Sequence, residues 1–344
     1  LVYCRFDKDV PYFFKWRPNR TGINSDMADD VLIDVQGISR YYGEHCAVND
    51  ISFTVNRGQV LGFLGPNGAG KTTTMNMLTG NLAPSAGSIR INGHDLLDEP
   101  RAAKGAIGYL PEQPPLYREL TVDEYLDYCA ALNGLPRDRR RAARDAAKEK
   151  CGLNAVSRRL IGNLSKGYRQ RVGIAQAIIH LPPVVILDEP TVGLDPLQIR
   201  EIRQLIRDLG REHSVIISTH ILPEVQATCD EVQIISEGRL VLRDRIDNLH
   251  RHMQSASLTV GFRHDASPDA LQAIADVTAV EPLDHNYYRV FYAPDRDPTD
   301  DLVRLAVAKG WGLLELRRAR LSLEEVFLKL TTDDAAHTPQ EDAA

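Results

Sequence analysis

The sequence predicts an α/β protein whose parallel strands deliver a phosphate-binding loop, followed by a small α+β unit. Three observations carry that prediction. Gly65, Pro66, Asn67, Gly68, Ala69, Gly70, Lys71, Thr72 and Thr73 satisfy G-x-x-x-x-G-K-[ST] between an apolar run, Val60 to Leu64, and a helix-compatible run, Thr73 to Leu78. Two later apolar runs, Val184 to Leu187 and Ser214 to Ser218, have strand length and end in Asp188-Glu189 and Thr219-His220. Beyond about Arg245, short patterns follow in the order β-α-β-β-α-β.

Composition narrows the function classes. A chain of 344 residues has a length prior of about two domains. A net charge of -6 gives no global pull toward nucleic acid or an anionic membrane. The five cysteines (Cys4, Cys46, Cys129, Cys151, Cys229) are scattered, with no C-x-x-C pair. That pattern predicts reduced thiols in the cytosol, without a disulfide framework or zinc site. No run of eighteen apolar residues exists, so work at a membrane needs a partner chain.

Taken in order, residues 1–26 lack periodicity and mix Tyr12, Phe13, Phe14 and Trp16 with charges. They also lack the apolar core of a signal peptide. We expect Met27 to be the natural start, and residues 1–26 to be a disordered leader or extended reading frame. Val31, Ile33 and Val35 alternate with polar residues as a half-buried strand does, and Ile51, Phe53 and Val55 repeat the pattern. Between them lie Tyr41, Tyr42 and Gly43. An aromatic here suits stacking on a purine base, and the spacing fits a core tyrosine equally; Gly43 favours an exposed turn.

In the loop, Gly65, Gly68 and Gly70 let successive amides point into one concavity, where they can cradle phosphate oxygens. The following helix adds the positive end of its dipole. Lys71 supplies a charge for the β- and γ-phosphates, and the Thr72 hydroxyl can ligate Mg²⁺. Ala83 to Gly87 reads as a turn, and Ser88 to Ile91 with Asn92-Gly93 as a short hairpin. Ile107 to Pro111 is a buried strand running into Glu112-Gln113. Thr121 with Glu124 is a capping-box signature for a helix reaching Asn133. The five arginines between Arg137 and Arg144 read as a solvated helix face, since no aromatics are interleaved for nucleic acid.

Leu164, Ser165, Lys166, Gly167 and Tyr168 precede an amphipathic helix with Val172, Ala175, Ile178 and Ile179 inward. The serine and glycine fall where a helix N-terminus exposes free amides. Pro182-Pro183 stops that helix. Asp188, ending a core strand, is placed to hold Mg²⁺, and Glu189 can polarise an attacking water. Gly193 to Pro196 turns into a helix through about Leu209. His220 ends a strand on the side where open α/β sheets bind ligands, which favours a γ-phosphate contact.

These parts in this order resemble the ATP-binding subunit of ABC transporters, over about residues 31 to 245. The combination of glycine loop, Leu-Ser-x-Gly, Leu-Asp-Glu-Pro and Ser-Thr-His carries the resemblance. It implies a P-loop NTPase core of ABC ATPase type with a helical subdomain at about 115–175. It implies ATP and Mg²⁺ as cofactors. It also implies a head-to-tail dimer, with ATP sandwiched between the glycine loop of one protomer and the Leu-Ser-x-Gly motif of the other, acting in trans. By position, Tyr42 is similar to the adenine-stacking aromatic, Glu189 to the general base, His220 to the switch histidine, and Asp195 to the loop residue that communicates across the dimer. Two departures stand out. Leu164-Ser165-Lys166-Gly167-Tyr168 replaces Leu-Ser-Gly-Gly-Gln, and Glu112 (with Gln113 beside it) occupies the family's Mg²⁺-contacting glutamine position. Both resemble the exporter-type branch that includes gliding-motility and multidrug ATPase subunits.

For the remainder we expect strands at Ser257 to Phe262, Val277 to Leu283, Tyr287 to Ala293 and Trp311 to Leu316. Helices are expected at Pro268 to Ala275, Asp300 to Lys309 and Leu323 to Leu330. The order suggests a ferredoxin-like accessory domain over 246–331, a dimer-stabilising or regulatory cap, before a disordered tail at 332–344. The expectation as a whole is a 27–245 ATP-binding domain that hydrolyses ATP to drive a separate integral membrane permease, for export. The subunit would act as a homodimer at the cytoplasmic face of the inner or plasma membrane, without nucleic acid. The rivals are a soluble ABC ATPase acting on ribosomes or DNA, and a regulatory module that binds nucleotide without turnover. One cassette without sustained heptads disfavours the first, and Glu189 with His220 disfavours the second.

Overall fold

The computed structural model describes residues 30–248, 257–293 and 296–319. The expected leader, the helix at Leu323 to Leu330 and the tail lie outside the described residues. Two long strands, β1 (Val31–Tyr42) and β2 (His45–Asn56), pair antiparallel across the Gly43 turn. Of their predicted apolar positions, Ile33, Val35, Ile51, Phe53 and Val55 are buried and Val31 is half-buried. β3 (Val60–Leu64) then runs into the glycine loop and α1 (Lys71–Leu78). β4 (Ala86–Ile91) and β5 (His94–Asp95) form the hairpin at Asn92-Gly93 and extend the first sheet in the order β2-β1-β4-β5.

After α2 (Pro100–Gly105) comes β6 (Ile107–Leu110). Strands β7 (Val184–Asp188), β8 (Ser214–Thr219), β9 (Glu231–Ser236) and β10 (Arg239–Arg245) complete a second sheet with β3 and β6. Its order is β10-β9-β3-β8-β7-β6; all neighbours are parallel except the antiparallel edge strand β10. Both faces are covered, which is why its strands read as continuous apolar runs. Val185 and Leu187 join a core shared with the helices, whereas Val184 and Ile186 join the core beneath the antiparallel sheet.

The helical region comprises α3 (Val122–Leu132), α4 (Arg137–Lys150) and α5 (Lys166–Ile178). The capping box forms as expected: Thr121 Oγ1 accepts from the Glu124 amide at 3.3 Å, and the Thr121 amide donates to Glu124 at 2.8 Å. The arginine run on α4 is only partly a solvated face. Arg137, Arg139 and Arg141 are exposed, but Arg144 pairs with Asp127 at 2.7 Å. One turn on, Lys148 is buried against Asp123 at 2.5 Å. These pairs tie α4 to α3. Val172, Ala175, Ile178 and Ile179 all face the core. Helices α6 (Pro196–Leu209) and α7 (Leu222–Thr228) flank β8.

A third sheet is built from β11 (Ser257–Phe262), α8 (Pro268–Gln272), β12 (Val277–Pro282), β13 (Tyr287–Tyr292), α9 (Thr299–Ala308) and β14 (Leu313–Ala319). It is antiparallel throughout, in the order β12-β13-β11-β14. The last strand starts two residues later than expected. Gly312 has φ of 68°, which turns the chain, and Trp311 packs on Phe262 with ring centroids 5.3 Å apart instead of entering the sheet.

Candidate active site

The strand order puts the carboxyl ends of β3, β8 and β7 side by side, where open parallel sheets place their ligands. Register makes this specific: Leu64 pairs with Thr219, and Asp188 with Ser218. The glycine loop, the Asp188-Glu189 pair and His220 therefore emerge together, and β6 brings Glu112 alongside. A cavity of about 450 Å³ opens there. Among its lining are Tyr42, Lys71, Thr72, Glu112, Glu189 and His220, with the loop residues Asn67, Gly68, Gly70 and Thr73.

The loop needs its glycines. Gly70, with φ of 102°, is the left-handed N-cap of α1, and a Cβ there would stand 2.6 Å from the Ala47 carbonyl oxygen. A Cβ on Gly65 would meet the Ile235 carbonyl oxygen at 2.5 Å. The first turn of α1 has no side-chain cap and no acidic residue, so its amides face the cavity as an anion site. Pro66 and Ala69 shape the turn, the Ala69 amide donating to the Pro66 carbonyl at 3.2 Å. Lys71 is buried, its Nζ donating to the carbonyls of Gly65 (2.9 Å) and Pro66 (3.1 Å) and lying 3.5 Å from Glu189. The helix begins at Lys71, two residues earlier than the apolar run suggested, so Lys71 and Thr72 belong to its first turn.

Asp188 is 1% exposed, and neither carboxylate oxygen has a hydrogen-bond partner. Burial raises its pKa, and the nearby charges of Glu189 and Glu112 push the same way. The hydroxyls of Ser218 and Thr72 stand close enough to favour the charged form without closing a hydrogen bond. A buried, unpartnered carboxylate beside a threonine hydroxyl is an all-oxygen donor set that a divalent cation would complete. Among the described residues there is no cage of three or more His, Cys, Asp or Glu side chains.

Glu189 has φ of 47°, a left-handed conformation that costs roughly 1–2 kcal/mol for a non-glycine residue. Its amide donates to the Ser218 carbonyl at 2.9 Å. Its carboxylate meets His220 Nδ1 at 3.0 Å through each oxygen, so a proton on Nδ1 makes the imidazole the donor. Tyr42 is half exposed at the far end of the cavity, with the Arg40 guanidinium 5.0 Å from its ring centroid. It is a rim residue, not a core tyrosine.

The second predicted cluster lies elsewhere. Leu164, Ser165, Lys166, Gly167, Tyr168 and Asp195 do not line this cavity. Ser165 caps α5, accepting from the Tyr168 amide at 3.4 Å, and Asp195 caps α6, accepting from the Gln198 amide at 2.9 Å. Lys166 lies over Gly193, and a Cβ on Gly167 would meet Gln198, so this motif and the loop before α6 touch within one chain. The lining also includes His45, Ala47 and Val192, which carried no signal in sequence.

Comparison with known proteins decides the family. A family model described as ABC transporter matches residues 48–192. The bacitracin transport ATP-binding protein of Bacillus licheniformis is 34% identical over 301 residues, covering 87% of this chain and 97% of that protein. The chain belongs to the ABC transporter ATP-binding subunits. A daunorubicin resistance ATP-binding protein of Streptomyces coeruleorubidus is 34% identical, covering 89% of this chain and 97% of that one. The solved structure of an ATP-binding subunit of an ABC transporter superposes with a TM-score of 0.58 at 33% identity, covering 64% of this chain and 92% of that chain. The similarity to these relatives runs past residue 245, the end of the cassette motifs, so the ABC subunit shares part of its carboxy-terminal region with them. As a member of this family the ABC subunit binds and hydrolyses ATP.

Proposed function

We propose that the ABC subunit hydrolyses ATP between two copies of itself and so drives a separate integral membrane permease in export. One observation carries this reading: a carboxylate held by a histidine, beside a second carboxylate buried without a partner, at the mouth of a phosphate loop. Loop amides and Lys71 bind the phosphate chain, and Tyr42 stacks on the adenine. Asp188, Thr72 and Glu112 would hold Mg²⁺, which would supply positive charge against the phosphates. Glu189 takes the proton of the attacking water, with His220 orienting it against the γ-phosphate. Leu164 to Tyr168 and Asp195, free of the protomer's own cavity, act on the partner's nucleotide. Glu112, in place of a neutral side chain, raises the negative charge around the metal and so tunes its affinity.

The export direction is supported by the relatives, whose names record bacitracin transport, daunorubicin resistance and linearmycin resistance. Among the described residues no helix is long and apolar enough to cross a membrane, and the peripheral position at the cytoplasmic face, beside a permease, follows from the proposed role. A groove of about 420 Å³ between Pro111, Asn133 and His180 adds to this support. Tyr117, Tyr128 and Leu132 are exposed on the same helical region. A nucleic-acid partner has no support in the charge distribution. The test is MgATP turnover by the wild type and Lys71→Ala, with affinity capture from detergent-solubilised membranes. We expect Lys71→Ala to lose on the order of a hundredfold or more in kcat, and a multi-span membrane protein to co-purify. Turnover unaffected by Lys71→Ala, or capture of soluble proteins only, would contradict the reading.

A further inference from the structure

Glu224 lies on the first turn of α7, outside the cavity, and its side chain is almost wholly buried. One carboxylate oxygen accepts from the Thr191 hydroxyl at 2.5 Å; the other accepts from the Thr219 hydroxyl at 3.1 Å. Both threonines are buried. Thr219 accepts in turn from the Ile221 amide at 3.1 Å, which directs its hydroxyl proton toward Glu224. Arg203 of α6 places a guanidinium nitrogen 4.0 Å from the same carboxylate and balances its charge. The two threonines have telling neighbours in the chain. Thr191 follows the strained Glu189 by two residues, and Thr219 immediately precedes His220. The contacts therefore close a ring: Glu189 to His220, His220 through Thr219 to Glu224, and Glu224 through Thr191 back to Glu189.

We propose that Glu224 is a positioning residue for hydrolysis, holding the Glu189 loop and the His220 strand end at a fixed separation. A left-handed glutamate persists only where its surroundings over-determine it. Two anchors do this here. The Glu189 amide is fixed to Ser218 on β8, and the chain beyond is fixed through Thr191 to Glu224. Without the second anchor, Glu189 relaxes toward an ordinary conformation and its carboxylate leaves His220. The phosphate loop meets Thr219 through main chain, the Gly65 amide donating to the Thr219 carbonyl at 3.3 Å, while the hydroxyls of Thr191 and Thr219 are spent on Glu224, so nucleotide binding should be largely spared. The same carboxylate is linked through Arg203 to α6, whose N-cap is Asp195, so a shift of that helix reaches the Glu189–His220 pair through Glu224.

This inference rests on Glu189 and His220 acting in ATP hydrolysis, and the test separates the two. Steady-state MgATP hydrolysis is measured for the full-length wild type, Lys71→Ala, Glu224→Gln, Glu224→Ala, Thr191→Val and Thr191→Ser, each with its thermal melt. We expect kcat to fall about ten- to a hundredfold in Glu224→Ala and Thr191→Val. KM for ATP should stay within about twofold, and Thr191→Ser, which keeps the hydroxyl, should retain most of the activity. Glu224→Gln keeps the volume and one acceptor and should fall in between. The Glu224→Ala, Thr191→Val double variant should lose little more than either single one, because both cut the same ring. If Glu224→Ala fails to fold, Thr191→Val against Thr191→Ser carries the test alone. Wild-type turnover that depends on Lys71, with kcat unchanged in Thr191→Val and in every Glu224 variant that folds, would overturn the positioning role alone. So would a parallel loss of kcat, KM and melting temperature that Thr191→Ser shares. Absence of Lys71-dependent turnover in the wild type would overturn the functional reading, and this inference with it.

Discussion

Two adjacent carboxylates at the end of one strand meet opposite environments. Asp188 is buried without a partner, so burial disfavours its charged form. Glu189 is turned by a left-handed backbone onto His220 and Lys71. Another residue-scale pair sets the response to acid. His213 donates from Nδ1 to the Pro182 carbonyl at 2.6 Å, His180 from Nε2 to the Ile107 carbonyl at 3.2 Å, and the second nitrogen of each is buried without a partner. Burial lowers both pKa values below the ordinary histidine value of about 6.5. The unfolded chain therefore takes up these protons first as pH falls. Their contribution is intact above about 6.5, is lost as pH drops through the ordinary histidine range, and stops falling below the folded pKa values. Thermal melts from pH 7.5 to 5.5 should show a falling Tm, with a shallower slope in His213→Gln. An equal slope in that variant would contradict this assignment.

At the scale of elements, the site depends on close approach of backbone to backbone. A Cβ on Gly108 of β6 would lie 2.1 Å from the Ala177 carbonyl oxygen of α5, so at this point strand and helix meet main chain to main chain. Gly108→Ala must push α5 away, at a cost of about 2–3 kcal/mol in urea unfolding, and should lower turnover because β6 delivers Glu112 to the cavity. A cost under about 0.5 kcal/mol would show that the helix moves freely. The elements of the cassette were readable because their signals are local. A strand buried on both faces is a continuous apolar run, a capping box is two residues at fixed spacing, and the glycine loop is a pattern that few backbones satisfy. What escaped was set by distant chain. Nothing around Glu224 announces that threonines from two other segments will cover it. The inward turn of Arg144 and Lys148 depends on α3, and the late start of β14 on the contact between Trp311 and Phe262. Tyr42 was ambiguous because spacing does not say which face of a hairpin stays exposed.

For the whole molecule, the separation of the two motif sets matters most. The phosphate loop, Glu189 and His220 share one cavity, with Asp188 buried next to Glu189 in the chain, while Leu164 to Tyr168 cap a helix that does not reach it. On the proposed function, the two separated half-sites would be completed by a second copy placed head to tail, with each nucleotide part of the interface. Closure should follow ATP binding, and hydrolysis should release it. The most direct measurement of this account is size and turnover of the wild type and Glu189→Gln in MgATP. The wild type should hydrolyse ATP and remain largely monomeric. Glu189→Gln should bind ATP, lose on the order of a hundredfold or more in kcat, and accumulate as a dimer with nucleotide trapped. A Glu189→Gln protein that turns over ATP at the wild-type rate, or that binds ATP and stays monomeric, would contradict it.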